Sequence, residues 1–131
     1  MQPLKPYLEF HDVDLTSGWH SPPGFEPGVE IKILAGTLDC ANKRGSQTRL
    51  LRMLPGTVTT ETIEHDFWEE VYVIKGDYEP YDPKTGEALV SFKDGAGYAC
   101  RPPHKKHGPF RTKSGAMLFE IQYYADDPEP K

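Results

Sequence analysis

Residues 62–76 read TIEHDFWEEVYVIKG. A histidine, His65, stands just ahead of two glutamates, Glu69 and Glu70. An alternating apolar run follows, and Gly76 closes it. Side chains of an extended strand alternate between faces, so Glu69 and Glu70 point to opposite sides and one of them is solvated. By the same rule residues 61, 63 and 65 share a face. His65 is open to two readings at this point, a metal ligand or an ordinary hydrogen-bonded histidine.

Outward from this stretch, the chain continues in short β-like segments. VEIKILA (29–35) alternates, QTRLLRML (47–54) is strand-like, and TVTTETI (57–63) is dense in β-branched residues. After Gly76 come ALVSF (88–92), GYACR (97–101) and AMLFEIQYY (116–124), the last with Met117, Phe119, Ile121 and Tyr123 on one face. Turn signals separate them: PGT at 55, DPKTG at 82, KDG at 93 and KSG at 113. The 12 glycines and 13 prolines suit many turns, and no amphipathic helix stands out. This pattern predicts an all-β sandwich or barrel.

The chain has 131 residues, enough for one domain with a real core. Its 15 basic and 20 acidic residues leave a net charge of −5, which argues against nucleic acid or an anionic membrane as partner. The basic string RPPHKKH (101–107) is short and proline-containing, as a loop would be. No apolar run is long enough to span a bilayer, and the first thirty residues hold no signal-peptide core, so a soluble cytoplasmic protein is expected. Cys40 and Cys100 lack zinc-type spacing and read as reduced thiols. Residues 1–28 are proline-rich and aperiodic and are expected to form an arm across the barrel or a neighbouring subunit, which predicts a homodimer. Residues 29–125 form the expected barrel, and 126–131 a fraying tail.

PGTVTTETIEHDFWEEVYVIKG (55–76) resembles the first motif of the cupin superfamily, and RPPHKKH resembles the second through Pro102 and His107. The wider string RPP…HGPFRT…G is similar to the ChrR-like cupins, a group that includes metal-binding sensor domains and acetylacetone-cleaving dioxygenases. The resemblance extends over about two thirds of the chain when VEIKILA is included. It implies a single-domain cupin, a jelly-roll β-barrel. It also implies a metal held by His65, Glu69 and His107. Departures accompany it: Ile63 occupies the position of the family's first histidine, His104 replaces the glycine before the last histidine, and Arg111 stands where asparagine is usual.

Two imidazoles and a carboxylate make a facial triad, which suits iron(II) and leaves positions open for substrate; zinc, manganese or nickel also fit such ligands. Glu61 and His104 are the candidate catalytic bases beside the metal, each with a plainer reading as a surface residue. Arg101 and Arg111 bracket the His107 loop and can hold a substrate carboxylate by bidentate hydrogen bonds, or form surface ion pairs. Tyr72 and Tyr98, with Trp68 and Phe119, are expected in the core or pocket wall, the two tyrosines as substrate-binding candidates. The leading function is a metal-dependent, dioxygenase-like oxidoreductase acting on a small oxygenated organic molecule. The competitors are a metal-free isomerase or epimerase using His65 or His104 as base, and a ligand-sensing module.

Overall fold

The computed structural model describes residues 5–125. Seven antiparallel strands carry the fold: β1 (Val29–Asp39), β2 (Arg44–Met53), β3 (Trp68–Pro80), β4 (Phe92–Lys93), β5 (Tyr98–Arg101), β6 (Phe110–Arg111) and β7 (Ala116–Tyr123). The sheet order is β1-β2-β7-β3-β4, with β5 and β6 also paired to β3. Among the described residues no helix is long and apolar enough to cross a membrane. The long β3 pairs with β7 along most of its length, with β5 beside its first half and β4 and β6 beside its second.

Register sets which side chains meet inside. Gln47 of β2 lies opposite Gln122 of β7, which lies opposite Glu69 of β3; one layer further in, Arg49, Glu120 and Val71 align in the same way. The next layer is Leu51, Leu118 and Val73, and Met53 with Ala116 closes the series. Side chains two apart along a strand share a face, so three strands pass together from polar to apolar. The apolar layers join Val29, Tyr78 and Phe110 in one buried cluster. Leu118 is 1% exposed and Val73 2%, and burial of each such side chain contributes about 2 kcal/mol.

On β7 the apolar face noted in the sequence, Met117 to Tyr123, lies outside, while Ala116, Leu118, Glu120 and Gln122 are buried. Hydropathy alone points the other way. The inward Glu120 and Gln122 are accommodated because Arg49 Nε donates to Glu120 at 2.6 Å and Gln122 Nε2 donates to Glu69 at 2.7 Å. The expected strand over 88–92 shrinks to a bridge at Ala88 and the short β4, and Leu89 and Val90 are exposed.

Gly76 shows why its position needs glycine. Its φ is +85°, and a Cβ there would lie 2.0 Å from the Gly115 carbonyl oxygen, just past the bulge between Val73 and Lys75.

Residues 5–28 run along the outside of β1 and β2. Lys32 Nζ donates to the Ser17 carbonyl at 2.9 Å, Arg52 lies over the Trp19 ring at 4.3 Å, and His20 forms a bridge with Ile31. Just before β1, Glu26 Oε1 accepts from the hydroxyl of Thr60 at 2.8 Å. Residues 126–131, expected to fray, lie outside the described residues.

Candidate metal centre

The stretch 57–63 was expected as a strand and is extended without a continuous ladder. Val58 bridges Arg111, and Ile63 bridges His107. The facing segment, 107–112, holds Pro109, which has no N–H to give, so separate bridges form on either side of it. The alternation still holds: Thr59, Glu61, Ile63, His65, Phe67 and Glu69 all line one cavity of about 520 Å³, which also reaches Leu51, Met53 and Leu118 of the apolar layers. That volume is ordinary for a small-molecule site.

His65, Glu69 and His107 converge there, each offering a ligand atom within 4.8 Å of the others. β3 carries Glu69. His65 lies just before that strand, its ring stacked on Phe67 at 3.9 Å. His107 is held by its main chain, which exchanges two hydrogen bonds with Ile63 at 2.7 and 2.9 Å.

The two imidazoles are oriented alike. His65 Nδ1 lies 3.2 Å from the Phe67 carbonyl oxygen, and His107 Nδ1 lies 3.2 Å from that of Lys105. A carbonyl oxygen only accepts, so each ring donates from Nδ1, and its neutral tautomer turns a bare Nε2 toward Glu69. The separations are 3.7 Å from His65 Nε2 to Glu69 Oε2 and 3.6 Å from His107 Nε2 to Oε1. These are too long for hydrogen bonds. Among the described residues, His65 Nε2 is the buried side-chain polar atom without a partner. A buried lone pair facing a carboxylate is costly unless a cation lies between them. The donor set therefore fits a divalent transition metal, with the backbone carbonyls fixing the ring tautomers that such a metal needs.

Protonation supports the same fit. Burial pushes the Glu69 carboxyl up, but the His65 imidazole, the Gln122 amide and His107 more than offset this and hold it at about 2. Burial and the Arg101 guanidinium lower His107 from its ordinary value, which keeps the ring neutral and able to ligate. Arg101 itself lines the cavity, its NH1 donating to Glu69 Oε1 at 3.2 Å.

The remaining sequence candidates are dispersed. Ile63 and the exposed Glu61 line the mouth. The His104 imidazole is exposed and outside the cavity lining; its backbone N–H instead donates to the His65 carbonyl at 2.8 Å. Arg111 pairs with Glu79 at 2.6 Å beside a separate, smaller cavity. Tyr72 and Tyr98 point outward, and their hydroxyls donate to the Gly95 carbonyl and to Glu70. Trp68 stacks on Tyr123 outside the barrel and Phe119 is also on the outer face; the aromatic residues expected in the pocket wall are here an outer layer. The inward polar set Gln47, Arg49, Glu120 and Gln122 was not anticipated. Its signal was present as charged and amide residues recurring every second position on two strands, with Arg49 and Glu120 of opposite sign. Burial and the neighbouring Glu69 carboxylate push Glu120 up to about 7, against the pull of Arg49.

The all-β architecture, with this cavity opening at one end, has clear relatives among solved structures. KdgF from Halomonas sp. matches with a TM-score of 0.63 and 20% identity over 92% of this chain and 97% of its own. This is the cupin fold. An RmlC-like cupin from Shewanella frigidimarina matches at a TM-score of 0.63 and 15% identity, covering 95% of this chain and 96% of its own. An acetylacetone dioxygenase from Acinetobacter johnsonii also reaches 0.63, at 13% identity, covering 93% of this chain and 80% of its own. At such identities the likeness is one of cupin architecture. No family description matches the sequence, and no curated protein matches it.

Proposed function

We propose that this cupin is a metal-dependent, dioxygenase-like enzyme acting on a small oxygenated organic molecule in the barrel cavity. The observation that carries the reading is the buried, unpartnered Nε2 of His65, facing Glu69 and His107. His65, Glu69 and His107 would hold the ion, iron(II) being the metal that such a triad suits. When bound, the ion supplies Lewis acidity toward substrate oxygens. The protein supplies the rest. Phe25, Phe67 and Leu51 give apolar walls that exclude water, and Glu61 is the carboxylate placed to accept a proton at the mouth. The acetylacetone dioxygenase among the structural relatives is consistent with this chemistry. The exposed position of His104 weighs against a metal-free reaction that uses it as base.

Elemental analysis of protein purified without chelator or affinity tag tests the centre, and dioxygen uptake by the iron form with β-diketones tests the reaction. One transition metal per chain and substrate-dependent uptake are expected. Metal-free protein overturns the centre, and metal without uptake overturns the oxygenase. The same chain is proposed to work as a homodimer, which the solvent-exposed Tyr7, Leu8 and Phe10 of the arm support. Light scattering should give twice the chain mass, and one chain mass after deletion of the first twenty residues.

A further inference from the structure

Inside the cavity each guanidinium faces one carboxylate. Arg49 meets Glu120 at 2.6 Å, and Arg101 meets Glu69 at 3.2 Å, with side-chain exposures of 11%, 6%, 19% and 5% in that order. The other carboxylates of the lining are Glu26, which is already bonded to Thr60, and the exposed Glu61. A divalent ion held by two imidazoles and Glu69 therefore adds two positive charges to an interior whose two guanidinium groups already take up its two buried carboxylates. An uncompensated buried charge is expensive, and beyond Glu69 and Glu120 no buried carboxylate lines the cavity. The compensation has to arrive with the ligand.

Arg101 is where that charge would be received. Its Nη1 lies 3.2 Å from the same Glu69 Oε1 that His107 Nε2 faces at 3.6 Å, so a cation drawing on that oxygen competes directly with the guanidinium. The side chain lies with Cζ 5.8 Å from the Phe110 ring centroid and offers a planar fork of donors, a shape that matches a carboxylate. The lining around it is largely apolar, including Phe67 and Val71, which suits an organic acid better than an inorganic anion.

We propose that Arg101 is the anion receptor of the metal centre, and that the molecule completing the centre is a small carboxylate whose charge offsets the ion and whose carboxylate takes the guanidinium. This deepens the reading of His65, Glu69 and His107 as a metal site and rests on it. Metal and carboxylate are then linked: each strengthens binding of the other, and Arg101 alone weakens binding of the metal.

Calorimetry on zinc-loaded protein tests this with three probes: pyruvate, its uncharged methyl ester and inorganic phosphate. Pyruvate should bind the wild type at least roughly tenfold more tightly than the ester, and more tightly than phosphate. Arg101→Gln should retain zinc, bind it about tenfold more tightly when no carboxylate is present, and lose the preference for pyruvate over its ester. Arg101→Lys should recover part of the preference, since it keeps the charge without the fork. Equal binding of acid and ester by the wild type overturns the proposal whatever the variants do. So does an unchanged preference in zinc-loaded Arg101→Gln, and tighter binding of phosphate overturns the carboxylate class. Wild-type protein that takes up no zinc overturns the metal centre, and this inference with it, before any anion is added.

Discussion

The two ends of the barrel interior are built on the same strands and do opposite things. At one end β2, β7 and β3 turn Leu51, Leu118 and Val73 inward, and at the other Gln47, Gln122 and Glu69, four residues away along each strand. The apolar end gains stability from burial and asks for close packing. The polar end buries an ion pair, a shared carboxylate and an orphan imidazole nitrogen, a set that costs stability unless every partner is present. The difference teaches that backbone register, fixed at the apolar end, holds the polar groups in place; the two ends should then respond separately to mutation.

The most severe test removes a ligand. His107→Ala should lower zinc affinity by about a thousandfold, because two protein ligands cannot replace three, while circular dichroism and thermal midpoint stay near wild type. A large loss of fold would break the separation of the two ends. The converse test is Leu118→Ala, which enlarges the cavity where it reaches the apolar layer and should cost about 3 kcal/mol in denaturant unfolding. Zinc affinity measured below the unfolding transition should stay within about twofold of wild type.

Ile63→His adds an imidazole on the cavity face and should tighten zinc roughly tenfold by calorimetry. Unchanged affinity would mean that residue 63 does not reach the ion. The smallest effect is expected outside the apolar end, where Asp77 accepts hydrogen bonds from the backbone of Lys113 and Ser114 and from the Ser114 hydroxyl. The Lys113 amide and the Ser114 hydroxyl hold the Asp77 carboxyl well below the usual range. Its contribution is thus present above the unfolded-state value near pH 4 and fades as pH falls toward the folded-state value. Asp77→Asn should cost about 1 kcal/mol at pH 7 and progressively less below about pH 4 in urea titrations.

Much of this was legible in the sequence because strands and turns announce themselves locally. Glu69, Gly76 and His107 sit at motif spacings, and the alternation through 61, 63 and 65 needed no three-dimensional information to be seen. The interior of β7 was harder. Met117, Phe119, Ile121 and Tyr123 outrank Leu118, Glu120 and Gln122 in hydropathy, and only the pairing with β2 and β3 shows that the polar set has partners inside. Tyr72 and Tyr98 misled for a related reason: aromatic residues supply buried area on either face of a sheet, and composition does not say which. Arg101 and Arg111 looked equivalent beside one loop, yet one reaches Glu69 and the other Glu79, at opposite ends of β3.

The exchange of main-chain hydrogen bonds between Ile63 and His107 separates a position from its occupant. Peptide groups pin His107, so the side chain at 63 can be rewritten without withdrawing that support. A thiolate, a carboxylate or an imidazole installed there would sit beside the same three groups and tune metal preference by its own softness. For protein engineering, residue 63 is a socket, and the isoleucine that fills it is a blank plug.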